Sequence, residues 1–387
     1  MFRLLLVSLT AAALYADESF THEGPFFVRT ISGPVAGPVP AQLHIVTRGN
    51  VILRGMKGDQ VYFKLVQRVK AHSEVEAKHL LGTVSTTATT PPAMSLTTFT
   101  VVTTAREPVS NELSINVPPQ VQQSIVMTQG GSVEAYDLDG GLQANATLGI
   151  RCDRVHGNVN GRTAGGEIRL GKVGGSAVCV SGGGSIFIDA VSGSARCETA
   201  GGEIVVKEAG GPLLLSNVSG NIEVDRAGST VEAHTGEGVI EVNQAGGEVI
   251  ADTRGGSIQI GSARGARCES GAGAIRVKSM SGPLNVQTMM GSILAELIAG
   301  SHFEDSMLSA SSGDVTVLIP SKLALSVMAR NDSGTNPRIQ SDFTEVPVKS
   351  FGFSRPPTLA QGQINGGGPL LRINVAAGII YLRKLKQ

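Results

Sequence analysis

From about residue 148 to residue 300 the chain repeats itself every 18 residues, and this period constrains its fold more than any other feature. A glycine marks each repeat: Gly166, Gly184, Gly202, Gly220, Gly238, Gly256, Gly273 and Gly291, with a single 17-residue step between Gly256 and Gly273. Two residues after each comes Ile168, Ile186, Ile204, Ile222, Ile240, Ile258, Ile275 or Ile293. Four residues after each lies Leu170, Ile188, Val206, Val224, Val242, Ile260, Val277 or Ala295, and the column between them is mostly polar. Apolar-variable-apolar spacing puts alternate side chains on opposite faces of a strand. A second glycine opens a second half in most repeats, at Gly175, Gly193, Gly211, Gly247, Gly265, Gly282 and Gly300. Its inward positions include Leu213 with Leu215, Val231 with Ala233, Val249 with Ala251 and Leu284 with Val286. Each repeat therefore reads as strand, turn, strand, turn.

One such unit buries too few aliphatic side chains to offset the entropy of ordering its backbone, so it needs neighbours above and below. Stacked copies align the isoleucines in one interior column, and glycine suits the corners because tight turns often require φ > 0. The expected fold is all-β: a β-solenoid, β-helix-like, of 18-residue coils with irregular β caps at both ends. An antiparallel meander is the alternative. It would put every apolar position on one sheet face and need a separate cover.

Composition narrows the class. Lys plus Arg and Asp plus Glu both number 32, so the chain lacks the basic excess of a protein that binds nucleic acid by phosphate neutralisation. Hydrophobic residues make up 41%, which argues against disorder. The N-terminus reads Met1-Phe2-Arg3 and then an apolar run from Leu4 to Leu14 with small residues at Ala11 to Ala13 and Ala16. This fits a secretory signal peptide over residues 1–16, cleaved after Ala13 or Ala16, and the run is too short to span a bilayer. No later segment is long enough to serve as a transmembrane span after signal cleavage. The expected location is exported: periplasmic, cell-envelope associated or secreted.

The flanks are less regular. Residues 17–130 are expected to form an N-terminal β-rich capping region, with strands at Leu43 to Val46, Asn50 to Arg54, Val61 to Val66, Leu96 to Thr104 and Leu113 to Val117. It carries one short helix, opened by the capping box Ser73-Glu74-Val75-Glu76 and continuing from Ala77 to Leu81. Thr83 to Pro92 reads as a loop. Residues 131–320 hold the solenoid. Residues 321–387 form a C-terminal β cap, with an irregular stretch from Asn331 to Pro357. Caps of this kind shield the open strand edge of the last coil.

A signal peptide joined to Gly-x-Ile-x-Val repeats resembles the bacterial putative-adhesin family of glycine-rich β-strand repeats. The closing segment Gly366-Gly367-Gly368-Pro369-Leu370-Leu371-Arg372-Ile373, followed by Gly378-Ile379-Ile380, is similar to that family's usual ending. The likeness covers roughly residues 110 to 383. It implies an exported β-repeat protein, named for adhesion by analogy, and carries over no catalytic residues.

Motifs for chemistry are sparse. Gly166-x-x-x-x-Gly171-Lys172 nearly matches a phosphate loop, but Val173 stands where Ser or Thr is needed. The seven histidines, His22, His44, His72, His79, His156, His234 and His302, are not paired at metal-ligand spacing. Asp137-Leu138-Asp139-Gly140 reads as a turn before it reads as a calcium-loop fragment. No metal or cofactor is expected. Glu223 and Glu241 share an outward column one coil apart, which could place two carboxylates together as a polysaccharide lyase or hydrolase requires. Phe187 is the aromatic of that column. Cys179 and Cys197 are 18 residues apart, each 13 after its marker glycine, so they are expected to stack inward on adjacent coils. A Cα separation near one strand spacing makes a disulfide between them possible in an exported protein, with buried thiols the other outcome.

These readings point to a non-enzymatic exported scaffold, adhesin-like or engaged with the cell envelope, whose partner is a surface protein or glycan and not a nucleic acid. A polysaccharide-active enzyme on the same scaffold and a periplasmic envelope-stress or signalling factor are the alternatives.

Overall fold

The computed structural model describes residues 17–35, 38–81, 84–89, 98–103, 109–299, 303–333, 338–350 and 358–385. The segment read as a signal peptide lies outside them. The chain is nearly all β, with one short helix, and folds as a β-solenoid. It divides into two compact units, Met1–Ser192 and Gly193–Gln387.

In the first unit each coil contributes one strand to each of two sheets. The first sheet takes Ser132–Leu138, Gly149–Val155, Glu167–Val173 and Ile186–Val191, paired in parallel in that order. The second takes Gln123–Gln129, Gly141–Ala146, Val159–Thr163 and Ala177–Ser181, also parallel. Parallel pairing of successive coils excludes the meander.

The second unit repeats the scheme. Ile204–Ala209, Ile222–Ala227, Ile240–Ala245, Ile258–Ser262, Ile275–Met280 and Ile293–Leu297 form one parallel ladder. Ala195–Thr199, Leu213–Asn217, Val231–Thr235, Glu248–Thr253, Gly265–Ser270 and Leu284–Met290 form the other. The marker isoleucines Ile222, Ile240 and Ile258 lie side by side and fully buried, so a strand's inner face is a row of aliphatic contacts repeated at each level.

Parallel coil pairing runs on past residues 131–320, the span expected for the solenoid, and at both ends it leaves sequence order. Near the N-terminus the coil formed by Gln42–Arg48 and Asn50–Gly55 sits between two others. On one side it pairs with the coil of Gln123–Gln129 and Ser132–Leu138. On the other it pairs with Thr98–Thr103 and Ser110–Val117. The C-terminal unit does the same. Leu370–Ala377 and Ile380–Leu385 lie between the coil of Ser306–Ser312 with Val315–Pro320 and that of Leu325–Asn331 with Ile339–Ser341. In each case the coil nearest its chain terminus is enclosed by two coils that lie farther from that terminus in sequence.

Antiparallel strands finish each stack. Tyr62–Lys70, Phe26–Pro34 and Asp17–Glu23 follow Ser110–Val117 in turn. The helix Glu74–Leu81 covers their inner side, where Ala77 and Leu81 pack on Val69 with Phe20 and Phe27 at the margin. Its capping box forms: the Ser73 hydroxyl accepts from the Glu76 N–H (3.2 Å), while the Glu76 carboxylate accepts from the His72 N–H (2.8 Å). In the second unit Thr358–Ile364 and Val348–Ser350 close the stack antiparallel. Outermost strands that are charged, like Asp17–Glu23, or three residues long, like Val348–Ser350, discourage pairing with other chains.

Two segments expected to be irregular carry strands. Val84–Thr89, inside the loop read at Thr83 to Pro92, pairs antiparallel with Thr98–Thr103. Ile339–Ser341 and Val348–Ser350 fall within Asn331 to Pro357. These strands are short and mostly polar, so no apolar alternation announces them.

Candidate functional site

The interior is closed. All eight marker isoleucines are at most 1% exposed, and the second apolar column from Leu170 to Ala295 is buried with them. Ile168 and Leu170, inside the phosphate-loop look-alike, therefore point to the core and leave no cradle for a phosphate.

The marker glycines have a different cause from the one turn geometry suggests. None of the eight has a left-handed φ. They are required because corners stack backbone on backbone: a β-carbon on Gly238 would lie 2.0 Å from the Gly220 carbonyl oxygen, and one on Gly273 would lie 1.8 Å from that of Gly256. The column runs on into the C-terminal coil, where a β-carbon on Gly378 would lie 2.1 Å from the Gly313 oxygen.

A second set of residues fastens these corners, and it stands three positions before each marker glycine. The column reads Thr163, Ser181, Thr199, Asn217, Thr235, Thr253, Ser270 and Thr288, and all eight are buried. The Thr253 hydroxyl donates to the Gly238 carbonyl of the preceding coil (3.1 Å) and accepts from the Gly256 N–H of its own (3.1 Å). Thr235 and Ser270 do the same with Gly220 and Gly238, and with Gly256 and Gly273. The out-of-order coils are tied likewise, by Thr128 on the Gly49 carbonyl and by Asn331 on that of Gly378. The column, hydroxyl-bearing at every position but Asn217, recurs in the sequence in step with the marker glycines. Ser and Thr before glycines read as turn residues, which conceals a buried ladder.

The repeat core is closed, and on the outward columns parallel register sets each side chain beside its counterpart on the next coil. In the second unit Glu223 stands opposite Glu241, between Val205 and Gln259. Glu223 is exposed and Glu241 half-buried, on the outer face of a sheet. On the other sheet His234 contacts Glu232 (3.0 Å) and approaches Asp252 (4.0 Å). Among the described residues no group of three or more His, Cys, Asp or Glu side chains is arranged to hold a metal ion. The Asp137-Asp139 turn is occupied internally: Arg154 donates to Asp137, and His156 pairs with Asp139 at 3.3 Å.

The first unit carries the richer outer face. Phe187 has company that the repeat column does not reveal, because Tyr62 and Tyr136 come from outside the Gly-x-Ile repeats. Seven consecutive hydrogen-bonded strands contribute, in spatial order, Tyr62, Asn116, Arg54, Tyr136, Arg151, Arg169 and Phe187. Tyr62 opposes Asn116, Asn116 opposes Arg54, and Arg54 opposes Tyr136. Two residues along the strand from Tyr136, Glu134 opposes Arg151, which opposes Arg169, which opposes Phe187. The Arg169 guanidinium lies 4.4 Å from the Phe187 ring centroid and pairs with Glu167 at 2.9 Å. The Tyr136 hydroxyl donates to Glu134 (2.9 Å). Partial burial, then this bond, hold the phenol above its ordinary range, while Arg151 and Arg54 draw it back. Among the described residues neither Arg54 nor Arg151 has a carboxylate within ion-pairing distance.

All four cysteines, Cys152, Cys179, Cys197 and Cys268, are buried. Burial pushes the Cys152 and Cys268 thiols up, the latter to about 12, so neither is a nucleophile at neutral pH. Cys179 and Cys197 belong to different units, and a bridge between them stays a proposal.

No protein-family model matches the chain, and no curated protein matches it. Among solved structures it is similar to a putative cell adhesion protein from Clostridium sporogenes ATCC 15579, at 9% identity and a TM-score of 0.19, over 96% of this chain and 100% of that one. It is also similar to a putative adhesin from Bacteroides fragilis NCTC 9343, at 10% identity and a TM-score of 0.20, over 92% of this chain and 97% of that one. Likeness at this level carries no argument about activity.

Proposed function

We propose that this chain is an exported, non-enzymatic β-solenoid that works as an adhesin-like or cell-envelope interaction scaffold. The supporting observation is the parallel register, which repeats outward positions at one strand spacing, about 4.8 Å, on a buried aliphatic core. A face built this way favours many weak contacts to an extended or repeating partner, whose sum gives avidity without any single deep pocket. The N-terminal apolar run supports export, and among the described residues no helix is long and apolar enough to cross a membrane. The partner is a surface protein or glycan.

The test is binding of the purified, fluorescently labelled chain to intact bacterial envelopes, alongside turnover assays on a glycan panel. Saturable binding without turnover is expected. Glycan cleavage abolished by Glu223→Gln or Glu241→Gln would replace the scaffold with a polysaccharide-active enzyme.

A further inference from the structure

The outer face of the first unit is chemically unlike a generic solvated sheet. Aromatic rings stand on it at regular intervals, with guanidinium groups between them. Tyr62 and Tyr136 are three strands apart in one column, and Tyr136 and Phe187 are again three strands apart, displaced by two residues along the strand. Three strand spacings make roughly 14 Å. Tyr62 is 42% exposed although it is a large ring, and Arg54, Arg151 and Arg169 are exposed between the aromatics.

We infer that this face binds an anionic glycan, a polymer of uronic-acid type, laid across the strands along the stacking direction. The inference rests on the scaffold reading and names its partner. The rings offer flat apolar platforms to the C–H faces of sugar rings. Arg54 and Arg151, which among the described residues have no carboxylate within ion-pairing distance, offer planar forks that match a carboxylate bidentately. Arg169 lies over the Phe187 ring and is bonded to Glu167, so the free forks of this face are those of Arg54 and Arg151 and its open platforms those of Tyr62 and Tyr136.

Charge favours this occupant over others. Between Tyr62 and Phe187 the outward positions carry Lys64, Arg54, Arg151 and Arg169 against Glu134, Asp153 and Glu167, the last paired with Arg169. Glu134 is engaged by Tyr136, and Asp153 bonds Arg154. The balance is a modest positive excess with acids interspersed. That suits carboxylates spaced along a sugar chain better than the continuous phosphates of a nucleic acid.

The test measures binding of the full chain to polygalacturonate and to its methyl-esterified form, which keeps the backbone and removes the charge. Polygalacturonate should bind more tightly, with affinity falling as salt rises. Arg54→Ala combined with Arg151→Ala should weaken it by roughly tenfold or more, on the scale of lost charge-assisted contacts. Tyr136→Ala should weaken both polymers. The charge-matched control, Arg267→Ala with Arg276→Ala on exposed positions of the second unit, should leave binding unchanged. Absence of binding, equal loss in the control pair, or tighter binding of single-stranded DNA would overturn the inference. Those results leave the scaffold reading standing as long as the chain still binds envelopes.

Discussion

A β-carbon placed on Gly256 would lie 1.8 Å from the carbonyl oxygen of Gly238, one coil below. Coil spacing and corner glycine are thus one requirement: the backbone cannot stack at strand distance with a side chain between the corners.

Gly256→Ala should therefore destabilise by at least the 1–3 kcal/mol typical of overpacking, since the clash is with backbone that cannot rotate away, about as much as large core changes do. Gly165→Ala, where nothing lies within 4 Å, should stay within about 0.5 kcal/mol of the parent. Denaturant midpoints of the two variants measure the difference, and equal loss would refute close stacking as the cause.

Ile240 is fully buried, whereas Glu241 beside it faces outward. Ile240→Asp places an unpaired charge in the interior and should abolish cooperative folding of its unit. Glu241→Lys should melt within a few degrees of the parent. Thermal melts followed by circular dichroism decide it, and matched sensitivity would contradict the strand phase.

Thr253→Val keeps shape but strips the hydroxyl that joins Gly238 to Gly256, leaving a buried carbonyl and N–H short of partners. A loss of about 1–3 kcal/mol is expected, with Thr253→Ser close to the parent. If the valine variant were as stable as the serine variant, the ladder would be decorative.

Asp342 accepts from Arg383 (2.8 Å) and from the Lys384 N–H (3.2 Å), and the Arg383 hydrogen bond above all holds its carboxyl below the usual range. Because the folded value is the depressed one, its contribution is complete above the ordinary carboxylate pKa and fades as pH falls through the lowered value. An NMR titration should find the Asp342 midpoint below that of a free aspartate, and Arg383→Ala should raise it. A midpoint unmoved by that substitution would show the pair to be unformed in solution.

The solenoid was legible from the 18-residue period, because eight marker glycines and the aliphatics after them leave few other ways to bury a strand face. The interleaved ends were not. The pairing of Val51 and Leu53 with Val133 and Ala135 joins residues about 80 positions apart, and nothing local signals it. Tyr62 and Tyr136 reach the face of Phe187 only through that topology, which is why reading the repeat column alone left Phe187 isolated. The reason for the glycines also lay outside one-dimensional reading, since a close approach between coils leaves the same residue behind as a left-handed turn.

The most direct check on the register uses pyrene attached to cysteines introduced by Glu223→Cys and Glu241→Cys, the native cysteines being buried. Outward positions one coil apart, about 4.8 Å between backbones, bring the two labels into contact. The doubly labelled chain should show strong excimer emission that vanishes on unfolding, and singly labelled chains should show none. Monomer emission alone from the folded, doubly labelled chain would contradict the stacked coils on which everything proposed for the outer faces depends.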